Sequence, residues 1–327
     1  MSAVVDTDLL IIGAGPAGLY AAYYAGFRDL DTVVLDSLTE PGGQVAALYP
    51  VKAIYDVAGF PEIKGQDLVD ALVEQAAQYD PTYLLGHRAE SLVDRDDGEG
   101  VEVTTHKGTV IRAGAVLISG GIGTFTPRKL PGSDEYEGRG LEYFVRDLTP
   151  YTDQDVLIVG GGDSAFDWAQ NLEGLARSVT LIHRRDRFRA HERTVREVID
   201  SSVDVRTFTE VAEIRGEETV EEVDVVQTKT DERDTLKVQR VIAALGFTAN
   251  LGPIADWGLQ LDGREIEVDT RMRTSRDRVF AAGDITTYPG KVDLISVGFG
   301  EAATAVNNAA VRLDPDAKLF PGHSSDV

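Results

Sequence analysis

Cysteine is absent from all 327 residues. That absence excludes disulfides, thiolate metal sites, iron–sulfur ligation and any thiol relay within the chain. Lysine is scarce: of the 32 basic residues 8 are Lys and 24 are Arg, against 55 Asp and Glu, leaving a net charge of −23. Nucleic acid is a poor partner for such a chain. An acidic, lysine-poor but well-patterned composition suggests a protein that stays soluble in very high salt, where self-repulsion is screened within a few Å. No apolar run approaches the roughly 20 residues that span a bilayer. Met1 to Leu10 carries no basic segment followed by a long apolar core, so a cytoplasmic protein without a membrane partner is expected. What is present, 43% hydrophobic residues and 33 Gly, suits a globular α/β chain of two ordinary domains.

Asp8-Leu-Leu-Ile-Ile12 is an apolar run of strand length. It is followed by Gly13-Ala-Gly15-Pro16-Ala17-Gly18, a helical stretch Leu19–Ala25, and a second strand Thr32–Leu35 ending at Asp36. This is a dinucleotide-binding fingerprint: Gly13 for a tight turn, Gly15 for close approach of a pyrophosphate, Gly18 for helix–strand packing. The helix N-terminus offers unpaired N–H groups and a positive dipole end to the phosphates. Asp36, 18 residues after Gly18, stands where a carboxylate accepts hydrogen bonds from a ribose diol.

The pattern recurs. Asp155–Val159 leads into Gly160-Gly161-Gly162-Asp163-Ser164-Ala165, a helical Phe166–Glu173, and a strand Ser178–Ile182 that ends at His183. Here His183-Arg184-Arg185 replaces the acid, with Arg187 and Arg189 close behind. A carboxylate at that point repels a 2′-phosphate, whereas guanidinium groups bind it bidentately. The second unit should therefore prefer NADPH. The alternative is a solvated salt-bridge hub on an acidic surface.

After the second unit the pattern returns to the first, with Val241–Phe247, Arg278–Asp284 and a glycine-opened helix Ser296–Ala310. A first domain, residues 1–118 and 246–327, interrupted by an inserted second one, 119–245, is implied, the inserted one preferring NADPH. The crossings at Leu117–Phe125 and at Gly246 are glycine-rich, as hinges require. Asp94 to Gly100 and Gly216 to Asp234 read as exposed hairpin tips.

At this point the chain resembles the thioredoxin-reductase-like ferredoxin (flavodoxin)–NADP reductases over nearly its whole length. The resemblance is carried by Gly13–Gly18, Gly42-Gly43-Gln44 through Tyr49-Pro50, Tyr55–Pro61, Gly160–Ala165, His183-Arg184-Arg185, Ala282-Gly283-Asp284 and the tail Phe320–Ser325. It implies two nested Rossmann-like, three-layer α/β domains, bound FAD and NADPH, a homodimer, and ferredoxin or flavodoxin as electron partner. It also implies residue roles. Asp36 holds the FAD ribose, Gly43 and Gln44 lie at the flavin, and Tyr49 stacks on it, with Asp56 at its polar edge. Ala89 offers backbone to the adenine, Phe125 lies in the crossover beside the flavin, and Asp284, after Gly283, binds the ribityl hydroxyls. His323 covers the flavin as a stacking ring, with Ser324 and Ser325 as polar contacts. The second turn holds the NADPH pyrophosphate, Arg184, Arg185 and Arg189 hold its 2′-phosphate, and His183 is a further nucleotide-binding position. No side chain is assigned as acid, base or nucleophile, because the cofactor carries the chemistry.

Thioredoxin reductases share this architecture and carry Cys-x-x-Cys just before the second fingerprint strand. Here that segment places Phe144 and Asp147 where the sulfurs would be, and a dithiol is what disulfide exchange needs. Other readings are a diaphorase or flavin or quinone reductase on the same fold, and an NADPH-sensing regulatory flavoprotein.

Overall fold

Leu9, Leu10, Ile11 and Ile12 are buried on both faces of their strand, as befits the middle of a parallel sheet covered on both sides. They end β1 (Val4–Ile12). The structure, a computed structural model, describes residues 4–121 and 123–323. Helix α1 (Pro16–Phe27) follows, then β2 (Thr32–Asp36), parallel to β1 in the register Leu9↔Thr32 to Ile12↔Leu35. The chain continues through α2 (Gly43–Leu48), α3 (Gly65–Ala76) and β3 (Thr82–Leu85), the last parallel to β2. An antiparallel meander of β4 (Ala89–Asp94), β5 (Val101–Thr105) and β6 (Val110–Ile118) then brings β6 back parallel to β1.

The crossing strand β7 (Thr124–Pro127) leads into the inserted unit. There β8 (Leu141–Glu142), β9 (Asp155–Gly160), α4 (Asp163–Leu172), β10 (Ser178–His183), α5 (Glu192–Ile199) and β11 (Asp204–Thr207) follow in turn. A three-stranded antiparallel sheet, β12 (Thr209–Arg215), β13 (Glu222–Gln227) and β14 (Arg233–Lys237), is laid on before β15 (Arg240–Ala244) completes the parallel sheet in the order β8–β15–β9–β10–β11. Residues 216–234 are thus more than a hairpin tip: Val223 and Val225 alternate into the core and make β13 a central strand. Strand β16 (Phe247–Asn250) pairs with β7. Finally β17 (Val279–Ala281) adds to β6, and α6 (Ile295–Leu313) closes the first unit.

The chain divides into two compact units, residues 1–124 with 249–327, and residues 125–248. The crossings fall a few residues further along than 118 and 245. In the first unit the sheet order is β3–β2–β1–β6–β5–β4, with β17 beside β6. Strand alternation divides its core. Leu9, Ile11, Val34 and Leu117 face Ala21, Ala22, Ala25 of α1 and Ala302, Ala305, Val306 of α6. Leu10, Ile12, Val33 and Leu35 face a second cluster with Val103, Trp257 and Ile266. Small residues on both helices allow close approach to each other and to the sheet. Among the described residues, no helix is long and apolar enough to cross a membrane.

Candidate functional site

The first turn is built by glycines with different duties. Gly13 has φ +113°, and a Cβ there would lie 2.5 Å from the Ser119 carbonyl oxygen; a Cβ on Gly18 would collide with Gly13 O. These two are bound by packing. Gly15 is bare: its Cβ would meet only Gly43 Cα, at 3.9 Å, and it sits at the N-terminus of α1, where no side chain caps the helix. Pro16 occupies the first helical position, where its missing N–H costs nothing. Asp36 ends β2 with 9% of its surface exposed. Its Oδ2 accepts from Ala14 N at 2.6 Å and its Oδ1 from Leu38 N at 2.8 Å. Burial raises its pKa above the usual carboxylate range, and the backbone N–H donors oppose that shift.

Around this turn the fold gathers several of the expected residues. A Cβ on Gly43 would come within 2.9 Å of Gly15 Cα, and one on Gly121 would overlap the Gln44 amide, so Gly43 and Gln44 lie over the turn and the crossing. Tyr49 is half-buried. Burial pushes its hydroxyl up to about 12, with the Asp284 and Asp56 carboxylates contributing in the same direction; the three therefore share one locality. Lys52 Nζ lies 5.9 Å from the Tyr49 ring centre. Asp56 is exposed, and its loop is tied down by Ser296 near the start of α6: Ser296 Oγ donates to Asp56 O and accepts from Ala58 N, both at 3.0 Å. Ala17 meets Gly283 and Gly298, whose Cβ positions would lie 3.3 and 3.5 Å from its own. Ala89 is buried at an irregular start of β4. His323 is exposed and stands edge-on to Phe320, ring centres 5.1 Å apart. The Phe125 side chain, Ser324 and Ser325 lie outside the described residues.

The second turn repeats the division. A Cβ on Gly160 would collide with Ala244 O, and Ala165, fully buried, packs against the same spot. Gly162 meets nothing within 4 Å and precedes α4 with extended backbone and no side-chain cap. Asp163 and Ser164 open α4 and are exposed. The loop after β10 folds back onto the turn: Arg189 N donates to Gly161 O at 2.8 Å, and His191 N donates to Asp163 Oδ1 at 2.9 Å. His183 acts as a prop. Its ring lies against Gly161 and 5.6 Å from Phe188, which meets Phe166 at 4.8 Å. Burial holds the His183 pKa below its usual value, a hydrogen bond with the Arg187 backbone acts the other way, and Arg184, Arg185 and Arg189 depress it further. Arg184, Arg185, Arg187 and Arg189 are exposed, and among the described residues none is held in an ion pair. A salt-bridge hub is not what they form. Within the same unit Phe144 stacks on Phe247, centres 5.2 Å apart and planes 7° from parallel, and Asp147 accepts from Thr149 N and Oγ1.

Sequence reasoning passed over a buried cluster beside Asp284. Lys291 and Glu301 form an ion pair with side chains 8% and 4% exposed. Tyr288 OH donates to Glu301 Oε1 at 2.6 Å and Gly283 N donates to Oε2 at 2.7 Å. The signal was available: Gly298, Glu301, Ala302, Ala305 and Ala309 fall on one helical face, and a lone acid on a small apolar stripe needs a buried partner.

Two glycine turns, each leading into a helix whose N-terminus no side chain caps, one with an acid beyond its second strand and one with arginines, define an oxidoreductase that binds two dinucleotides. The chain matches the family described as pyridine nucleotide-disulphide oxidoreductase over residues 7–309. It is 62% identical over 317 residues to a ferredoxin–NADP reductase of Frankia alni, spanning 97% of this chain and 98% of that one. It is 50% identical over 326 residues to the ferredoxin–NADP reductase of Thermus thermophilus, spanning 98% and 97%. Among solved structures, thioredoxin reductase of T. acidophilum superposes with TM-score 0.79 at 28% identity over 95% of this chain and 98% of that one. A Lactococcus lactis thioredoxin reductase in the FR conformation gives 0.79 at 27%, over 94% and 99%. The chain belongs to the ferredoxin–NADP reductase family of pyridine nucleotide-disulphide oxidoreductases, whose members use FAD and NADPH. The residues present fit both groups: Gly15 and Gly162 leave open the space before a helix N-terminus that a Cβ would enter, and anionic phosphates suit it.

Proposed function

We propose that this chain carries electrons between NADPH and a ferredoxin or flavodoxin, with FAD on the first turn and NADPH on the second. One observation carries the reading: the strand-end acid Asp36 of the first turn is replaced in the second by arginines that, among the described residues, no carboxylate partners, in a chain with no cysteine. A bound flavin supplies hydride acceptance from NADPH and delivery of electrons one at a time. The chain's residues bind and orient. Arg184, Arg185 and Arg189 hold the 2′-phosphate, and Asp163 and Gly161 hold their loop in place. Ala14 and Asp36 shape the FAD turn, with the remaining carboxylate lone pairs facing the ribose. Tyr49, its hydroxyl kept protonated by burial, stacks on the flavin, and Asp56 and Asp284 address its polar side. His323, Ser324 and Ser325 cover it, with Phe125 at the crossover.

The protein is a homodimer in this reading: Tyr55, Phe60 and Val292, 68%, 43% and 53% exposed, flank the Ser296 tie and need a cover. Its high negative charge suits molar salt, and its location is the cytoplasm. The deciding experiment is NADPH oxidation by the purified protein with ferredoxin coupled to cytochrome c, against NADH and ferredoxin-free controls. Fast turnover only with NADPH and ferredoxin together is expected. A flavin that NADPH reduces but ferredoxin cannot reoxidise would move the function to another acceptor.

A further inference from the structure

We propose that the buried Lys291–Glu301 pair, with Tyr288, is a positioning device for FAD: it clamps Gly283 so that Asp284 is presented to the cofactor. The inference rests on the FAD site proposed above.

Both backbone polar groups of Gly283 are taken by the pair. Glu301 Oε2 accepts from Gly283 N at 2.7 Å, and Lys291 Nζ donates to Gly283 O at 3.2 Å. Thr286 Oγ1 donates to the same carbonyl at 2.8 Å. Gly283 has φ +82° and lies against Ala17 of the dinucleotide turn, so a small rotation there would swing the Asp284 carboxylate away from the turn. Lys291 reaches both carboxylate oxygens of Glu301, at 2.6 and 2.8 Å, and Tyr288 OH reaches one. The carboxylate thus accepts four hydrogen bonds, and the ammonium spends its donors on Glu301 and Gly283.

Helix packing alone does not call for these charges. The neighbouring buried positions of α6 are Gly298, Ala302, Ala305, Val306 and Ala309, and an apolar pair of similar volume generally stabilises a core as well as or better than a buried ion pair. Thr286 N and Oγ1 also hold the Gly283 carbonyl, at 3.0 and 2.8 Å; what an apolar pair cannot do is accept from the Gly283 N–H and tie it to α6. Burial, then the charges of Asp293, Glu301 and Glu265, raises the Asp284 pKa, and Lys291 opposes them.

The test uses the full chain stripped of flavin and titrated with FAD, read by absorbance and fluorescence, alongside the melting temperature of the apoprotein. Lys291→Met and Glu301→Gln should each raise the FAD Kd about tenfold or more and shift the visible band of the bound flavin. The apolar double variant Lys291→Met/Glu301→Leu, which leaves no charge stranded but takes the acceptor from Gly283 N–H and Tyr288 OH, should melt only a few degrees below wild type as apoprotein yet bind FAD at least about tenfold more weakly. A double variant with wild-type FAD affinity would overturn the inference and leave the pair a packing element. Wild-type apoprotein that takes up no FAD would overturn the site reading itself.

Discussion

The backbone N–H of Ala14 donates a 2.6 Å hydrogen bond to the Asp36 carboxylate, joining the start of the first glycine turn to the end of the second strand. The acid that sequence spacing assigns to a ribose is therefore also the brace that shapes the phosphate turn. Among the described residues the second unit has no such brace. There the turn is held by the Arg189 and His191 backbone from the loop after β10, and the strand-end His183 lies over Gly161. Each unit closes its turn with residues from the end of its second strand or the loop that follows.

Gly160→Ala and Gly162→Ala should separate folding from binding. A Cβ at Gly160 collides with the Ala244 carbonyl, whereas at Gly162 it meets nothing. Gly160→Ala should lower stability by about 1–3 kcal/mol. Gly162→Ala should melt like wild type but raise the NADPH KM about tenfold, the side chain occupying the space the pyrophosphate needs. Thermal unfolding and steady-state kinetics on both variants decide it, and equal melting losses would refute the division.

Arg184→Ala/Arg185→Ala should weaken NADPH about ten- to hundredfold, as expected for one or two lost charge-assisted hydrogen bonds. NADH kinetics should change about twofold or less, because that nucleotide has no 2′-phosphate. Equal losses for both nucleotides would remove these arginines from the site.

Asp284 gives a pH signature. Burial first, then Asp293, Glu301 and Glu265, raises its pKa from 3.8, with Lys291 opposing. A carboxyl raised in the folded state keeps its proton while the unfolded chain has already lost it, so its contribution to stability falls as pH rises above 3.8 through the folded value. Apoprotein carrying Asp284→Asn should gain in melting temperature relative to wild type across that window. A difference between the two that does not vary with pH would count against the crowding.

The net charge of −23 predicts a salt response. Screening shortens from about 10 Å at 0.1 M to about 3 Å at 1 M salt, which relieves self-repulsion but also weakens exposed pairs such as Arg193–Glu197. With so large an imbalance relief should win, and the melting temperature should rise steadily from about 0.1 M to about 2 M KCl. A flat or falling profile would make this an ordinary acidic protein.

Truncation after Gly322 should alter the visible spectrum of the bound flavin and slow its reduction by NADPH, both measurable by stopped-flow absorbance. Unchanged values would leave His323 as part of a chain terminus only.

Much of the site was legible because dinucleotide binding is written in short spacings. A strand, a glycine turn, a helix and a strand-end residue lie within about 30 residues, and their hydrogen-bond geometry follows from local backbone. So Asp36 and Arg184-Arg185 could be told apart on sight. The glycines of the two turns could not: Gly160 and Gly162 sit in one short motif, yet one is packed against Ala244 and the other is bare. Trp257 donates its Nε1–H to Glu90 O, a partner that no local pattern indicates.

From the sequence alone came the two nested dinucleotide folds, the contrast between acid and arginine, and the exclusion of thiol chemistry. Each depends on residue identity and near neighbours. Only the tertiary structure decided that Gln44 lies over Gly121, that Tyr49, Asp56 and Asp284 share one locality, and that Lys291 and Glu301 clamp Gly283 against Ala17. The last of these arises when α6 packs on α1 and β17 on β6, contacts between distant parts of the chain that local spacing does not encode.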